Sequence, residues 1–234
     1  MAKVTFPERN ENIVELQLDG RTVKYQVPPL IGWPENILDA LASDSRVRTP
    51  TGLETAAYSY GCQAYGRQDW AAKDKVWFPD KGHLVFPNWV TLIPNSDKFG
   101  ELAGGILVHS YEKGQTKATM TEKLIPESLF GWRHLEGAVL INDAGTKFAY
   151  GHLWNTQTGR WDKKNAAIVA LVGQEGAELL EKTSIDSNRP RGLHTLADES
   201  VTTPRTFIPF LLASNLYMSD SPTNAHCCVA SVLK

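Results

Sequence analysis

Cysteine is scarce in this sequence, with three residues in 234: Cys62, Cys227 and Cys228, two of them adjacent. An odd count with a vicinal pair does not make a disulfide framework, and reduced thiols in a cytosol are the simpler expectation. Long apolar runs are also missing. Nowhere does the chain hold the roughly 18 consecutive apolar residues that span a bilayer, and its first ten residues carry no apolar stretch of the signal-peptide kind. The expected location is therefore cytoplasmic, with no membrane partner. Charge of one sign is not in excess either: 24 Lys plus Arg stand against 26 Asp plus Glu, a formal net charge of −2. Proteins that grip nucleic acid through phosphates usually show a basic surplus, so such a role here has to rest on a local patch.

Catalytic signatures are absent as well. There is no phosphate loop of the Gly-x-x-x-x-Gly-Lys-Ser/Thr type, no Gly-x-Gly-x-x-Gly, no His-Glu-x-x-His, no Gly-x-Ser-x-Gly and no Cys-x-x-Cys. The glycine-rich run from Gly100 to Gly105 lacks a lysine and reads as a turn entering a strand. The carboxylates that could hold a divalent ion are scattered among turn and loop positions, Asp143 being a turn former. No catalytic residue, metal or cofactor is assigned from the sequence, which reads more as a binder than as an enzyme. No motif set ties it to a known family.

What the chain does contain is an ordinary globular composition, 42% hydrophobic and 21% charged, long enough to bury about 70% of its unfolded surface. No repeat, low-complexity tract or linker marks a boundary. One domain over residues 1–234 is expected, with a possible helical subregion at 34–75. Val14, Leu16 and Leu18 alternate with polar residues up to Asp19-Gly20, and Val23, Tyr25 and Val27 alternate beyond it, a hairpin signature. Pro34 to Leu41 reads as a short helix with Pro34 in its first turn. Thr51 and Glu54 match a capping box opening a second helix that runs to about Lys73.

Strand-like runs follow at Val76–Phe78 and His83–Ile93, broken by prolines that favour edges and bends. A second hairpin is expected between Gly105–Tyr111 and Lys117–Ile125, and a third between Ala138–Ile141 and Lys147–Trp154. The apolar run Ala166–Val172 reads as a buried strand, Glu175–Lys182 as one or two helical turns, and Ser184–Pro204 as a long polar loop. Thr206–Tyr217 and Ala225–Val232 are the last ordered segments. The fold class expected is α+β, hairpin-rich, with a mainly antiparallel sheet and two short N-terminal helices.

The most distinctive local feature is aromatic. Period-two alternation in Lys147–Trp154 puts Phe148, Tyr150, His152 and Trp154 on one face, and the polar stretch that follows holds Arg160, Trp161, Lys163 and Lys164. Rings on a sheet face rimmed by cations are how single-strand binders hold bases, each stack contributing about 1–3 kcal/mol. The competing explanation is a ring-rich core strand, since large aromatics dominate burial energy. A second basic element, Arg189, Arg191 and Arg205, lies in or beside the long polar segment.

The histidines offer less. His83, His152 and His194 stand near glycines, but none forms a His-x-Thr/Ser pair of the phosphoesterase kind. His226-Cys227-Cys228 sits in an apolar setting that favours a buried strand with inert thiols. The function expected is a non-catalytic binding component contacting single-stranded DNA or RNA through Tyr150, His152, Trp154, Arg160, Trp161, Lys163 and Lys164. The alternatives are a structural or assembly subunit of a phage particle or larger complex, with protein partners, and a histidine-dependent hydrolase using His152 and His194.

Overall fold

In a computed structural model the fold is described for residues 13–18, 20–26, 29–69, 83–94, 96–115, 139–141, 151–154, 166–186, 193–197, 203–212, 215–218 and 227–234. Alternation makes the first element. Strands β1 (Ile13–Leu18) and β2 (Arg21–Gln26) pair antiparallel with Leu18 opposite Arg21, across a tight turn whose Gly20 sits at φ 76°. Leu16, Leu18, Val23 and Tyr25 are buried, whereas Thr22 and Lys24 face water and Lys24 reaches Glu15 at 3.0 Å. The expected hairpin is there.

Helix α1 (Pro34–Ser43) opens on a proline that needs no N–H partner and buries Ile37, Leu38 and Leu41, one stripe at helical spacing. It is flanked by β3 (Leu30–Gly32) and β4 (Val47–Arg48). Helix α2 (Gly52–Asp69) begins as the capping box predicts. The Thr51 hydroxyl accepts from the Glu54 N–H at 3.2 Å, and the Glu54 carboxylate accepts from the Thr51 N–H at 2.8 Å. Beyond it come β5 (His83–Val85), β6 (Asn88–Leu92), a 3-10 turn at Asp97–Leu102 and β7 (Ile106–Ser110). Then follow β8 (Val139–Ile141), β9 (Gly151–Trp154), α3 (Ala166–Asp186) and β10 (Leu193–Ala197). The last strands are β11 (Arg205–Phe207), β12 (Phe210–Leu212), β13 (Asn215–Met218), β14 (Cys227–Val229) and β15 (Val232–Leu233).

These strands form three sheets, with orders β1-β2-β15-β4, β3-β14-β5-β12-β13-β10-β9 and β11-β6-β7-β8. Among the described strands only the pairs β10–β13 and β14–β5 are parallel, so the α+β, mainly antiparallel class holds. Prolines mark where the chain changes sheet. Pro87 separates β5 from β6, and Pro209 separates β11 from β12, its carbonyl accepting from the Phe86 N–H at 2.9 Å. A proline cannot donate to a ladder, so it suits a corner. The seven-stranded sheet has a buried cluster on each side of its centre. Leu84, Leu211 and Cys228 join the larger one, together with α2, α3 and the first hairpin. Val85, Phe210, Cys227 and Val229 join the other, under α1 and Trp89. The parity of the strand register and the two clusters agree residue for residue.

Three expectations about elements need correction. Ala166–Val172 is helical, the first half of α3; an apolar run of seven has no periodicity that separates a buried strand from a buried helix. The described parts of the third hairpin's arms do not pair with each other: β8 pairs with β7 and β9 with β10, in different sheets. The second hairpin's outer arm, Lys117–Ile125, lies outside the described residues, and β7 pairs with β6 and with β8. The long loop at Ser184–Pro204 contains the end of α3 and the whole of β10. There are accordingly three helices among the described residues, and α2, at 18 residues, is not short. No described helix is long and apolar enough to cross a membrane.

Candidate nucleic-acid interface

Strand β9 is the outermost described strand of the seven-stranded sheet, and among the described residues its partner is β10. Trp154 stands opposite His194 and His152 opposite Leu196. The parallel pair β10–β13 continues the first of these rows to Tyr217, and the antiparallel pairs beyond continue it to Phe210 and Val85. One transverse row therefore runs Trp154, His194, Tyr217, Phe210, Val85. Neighbouring strands lie about 4.8 Å apart, so the first three positions span roughly 10 Å. His152 and His194 are diagonal neighbours on adjacent strands of the same face.

Of the residues expected to form the binding surface, His152 and Trp154 are at this edge. Tyr150, Arg160, Trp161, Lys163 and Lys164 lie outside the described residues, as do Arg189 and Arg191. Arg205 belongs elsewhere, to β11 in another sheet, opposite Leu92. His194 and Tyr217 were not among the expected binding residues. Their alignment with Trp154 depends on pairings between segments far apart in the sequence, which no local pattern reveals.

The remaining chemistry-bearing groups are held by their neighbours. Glu54 is fully buried and receives both terminal nitrogens of Arg48 at 2.7 Å, with Arg21 at 3.8 Å. Burial is the largest influence on its carboxyl and pushes upward; the Arg48 fork, the Thr51 N–H and the charges of Arg48 and Arg21 together outweigh it and hold the value below the ordinary one. The carbonyl of Glu54 accepts from the Tyr25 hydroxyl at 2.8 Å, so the start of α2 is tied to the first hairpin. This is a structural knot around a carboxylate of no exposure.

A second knot joins α1 to the end of β7. Asp39 accepts from the Tyr111 hydroxyl and from the Gly114 N–H, both at 2.9 Å, while the Trp89 indole N–H donates to Gln115 at 2.6 Å and stacks on Tyr111 at 5.6 Å. Burial, then the bond to Asp39, drives the Tyr111 hydroxyl far above its ordinary value. Cys227 and Cys228 are buried, and burial pushes their thiols up to about 11 and about 12, with the charge of Cys227 adding to the second. A nucleophile needs the opposite shift. Among the described residues no group of three or more His, Cys, Asp or Glu side chains could hold a metal ion.

Comparison with known proteins adds no identification: no family model matches the chain, and no curated protein or solved structure is similar to it.

Proposed function

We propose that the chain is a non-catalytic binding component that holds single-stranded nucleic acid at its β9 edge, through Tyr150, His152, Trp154, Arg160, Trp161, Lys163 and Lys164. The observation that carries this reading is the position of β9. A strand bearing His152 and Trp154 is outermost among the described strands of its sheet, and a polar stretch with three cations and Trp161 follows it directly in sequence. An outer strand leaves room for bases to approach rings from the side. The test is fluorescence anisotropy of labelled single-stranded DNA and RNA at two salt concentrations. Binding that weakens with salt, quenches tryptophan emission and is lost in a Trp154→Ala, Trp161→Ala variant supports the reading. An absence of binding at low salt removes it.

A second reading, a structural or assembly subunit, is favoured by the opposite edge of the same sheet. There Leu30 and Ile31 on β3 and the adjoining Trp33 are 37%, 56% and 52% exposed, the exposed large hydrophobics of the described residues. An apolar outer strand is a template for another strand, and a second copy adding its own β3 is the occupant proposed. Size-exclusion chromatography with light scattering decides: self-assembly without nucleic acid that disappears in Ile31→Lys supports it, and a monomer at high concentration removes it.

A further inference from the structure

We infer that two copies of the chain join antiparallel through β3 about a two-fold axis at Ile31, so that the seven-stranded sheet of one continues into that of the other. This rests on the assembly reading above and adds the register of the contact. The argument begins with the two faces of β3. Ile31 stands opposite Cys228, on the side of the larger core, and Leu30 stands opposite Val229, on the side of α1. Both are exposed, at 56% and 37%. A partner lying on one face of the sheet would cover one of them and leave the other wet. A strand added in the plane of the sheet brings side chains to both faces at once. The opening is shaped for a strand.

What selects a second copy is the fit of β3 to itself. Residues directly opposite in an antiparallel pair share a face. With the axis at Ile31, that residue meets its own counterpart on one face. On the other, Leu30 of each copy comes over Gly32 of the other. Gly32 has no side chain, and an added Cβ there would lie 3.5 Å from Ile37 of α1. The incoming Leu30 fills that place and touches Ile37. Trp33, 52% exposed and still extended at φ −71° and ψ 136°, comes opposite Pro29 of the other copy. All three exposed large hydrophobics of the described residues are then covered by apolar groups of the same short segment. Shifted axes do worse. At Leu30, the axis carries Trp33 past the end of the other strand. At Gly32, two glycines face each other and Leu30 meets Pro34, where the chain has turned into α1.

The size of the contact sets its strength. Three partly exposed side chains fall far short of the roughly 800 Å² per partner of a standard interface, so association is weak, with a Kd on the order of 100 μM. It is also closed, because each edge is used up by the other, and this contact yields dimers without fibres. Pro29 and Pro34 bracket the segment and donate no N–H, which ends the pairing on both sides.

Disulfide trapping is the experiment. Ile31→Cys and Leu30→Cys are made separately in a Cys62→Ser background and oxidised at about the expected Kd, beside light scattering of the unmutated chain. Both side chains are exposed, so neither replacement disturbs the core. Directly opposite Cα atoms lie about 4.5–5.5 Å apart, within reach of a disulfide. Leu30 and its counterpart are diagonal neighbours at about 7–8 Å, beyond that reach. Ile31→Cys should therefore be trapped as a dimer at least about tenfold faster than Leu30→Cys. Equal or faster trapping of Leu30→Cys overturns the axis, and so does trapping of neither in a chain that scatters as a dimer. In both cases, loss of assembly in Ile31→Lys leaves the assembly reading standing. Particles larger than a dimer that vanish in Ile31→Lys also overturn the closed pair. An unmutated chain that stays monomeric well above the expected Kd removes the pair and the assembly reading together.

Discussion

At the scale of single residues, Glu54 concentrates more of the fold than any other side chain described. Its carboxylate closes the capping box of α2, receives the fork of Arg48 and lies near Arg21, all from a position of no exposure. Its folded value lies below the ordinary 4.5. The stabilisation it contributes is therefore fully present above about pH 4.5 and is lost as pH falls through the lower, folded value. Glu54→Gln should lower stability at pH 7 by about 2 kcal/mol, short of the full cost of breaking a buried pair because Arg48 is 39% exposed and can be rehydrated. It should also flatten the loss of stability between neutral and acid pH. Urea denaturation of both proteins at pH 7 and pH 4 checks this, and parallel acid limbs would contradict it. The cysteines give a second expectation. With thiols pushed up to about 11 and about 12, Cys227 and Cys228 should resist a thiol-reactive dye at pH 7 until denaturant is added, in a Cys62→Ser background that removes the third thiol. Rapid labelling of either in the native protein would show the β14 segment to be open.

At the scale of elements, the start of α2 and the break in α3 approach closely. Gly173 interrupts α3 at φ 73° and ψ 168°, a conformation open essentially to glycine, and just before it Leu171 turns its carbonyl onto Gly52. A Cβ on Gly52 would collide with that oxygen, with backbone, not a flexible side chain, in the way. Gly52→Ala should therefore reach or exceed the upper end of the roughly 1–3 kcal/mol that overpacking costs. A fall in Tm of about 6–12 °C follows for a chain of this size, and an unchanged Tm would mean that the two helices are farther apart. The same region shows what could be read in advance. The capping box and the Asp19-Gly20 hairpin were legible because every interaction that makes them lies within about ten residues, and local chemistry decides them. Helix α3 was not, since Ala166–Val172 offers neither alternation nor a polar face. Strand β10 was hidden because its partners, β9 and β13, are some forty residues before it and twenty after it in the chain. Of the candidate site, His152 and Trp154 fall on the strand expected, and Tyr150, Arg160, Trp161, Lys163 and Lys164 lie outside the described residues.

At the scale of the whole molecule, the balance of charge decides how any nucleic acid is held. A net charge of −2 gives no long-range attraction, so the salt dependence of any binding should count the cations that meet the strand. If Arg160, Lys163, Lys164 and Arg191 all meet it, four phosphates are neutralised. For a single strand the slope of log K against log salt is about −0.7 for each phosphate neutralised, which gives a slope of about −3 for the unmutated protein. Removing Arg191 should bring that slope up by about 0.7 and weaken all sequences alike, because a phosphate contact carries no base information. Removing the Trp154 ring should lower affinity at every salt concentration and leave the slope unchanged, since stacking releases no counterions. The two variants therefore separate charge from stacking in one titration series. A slope near zero would show that these cations do not meet the strand. A slope far steeper than −3 would point to a basic surface elsewhere on the chain, where Arg205 on β11 is the first residue to replace.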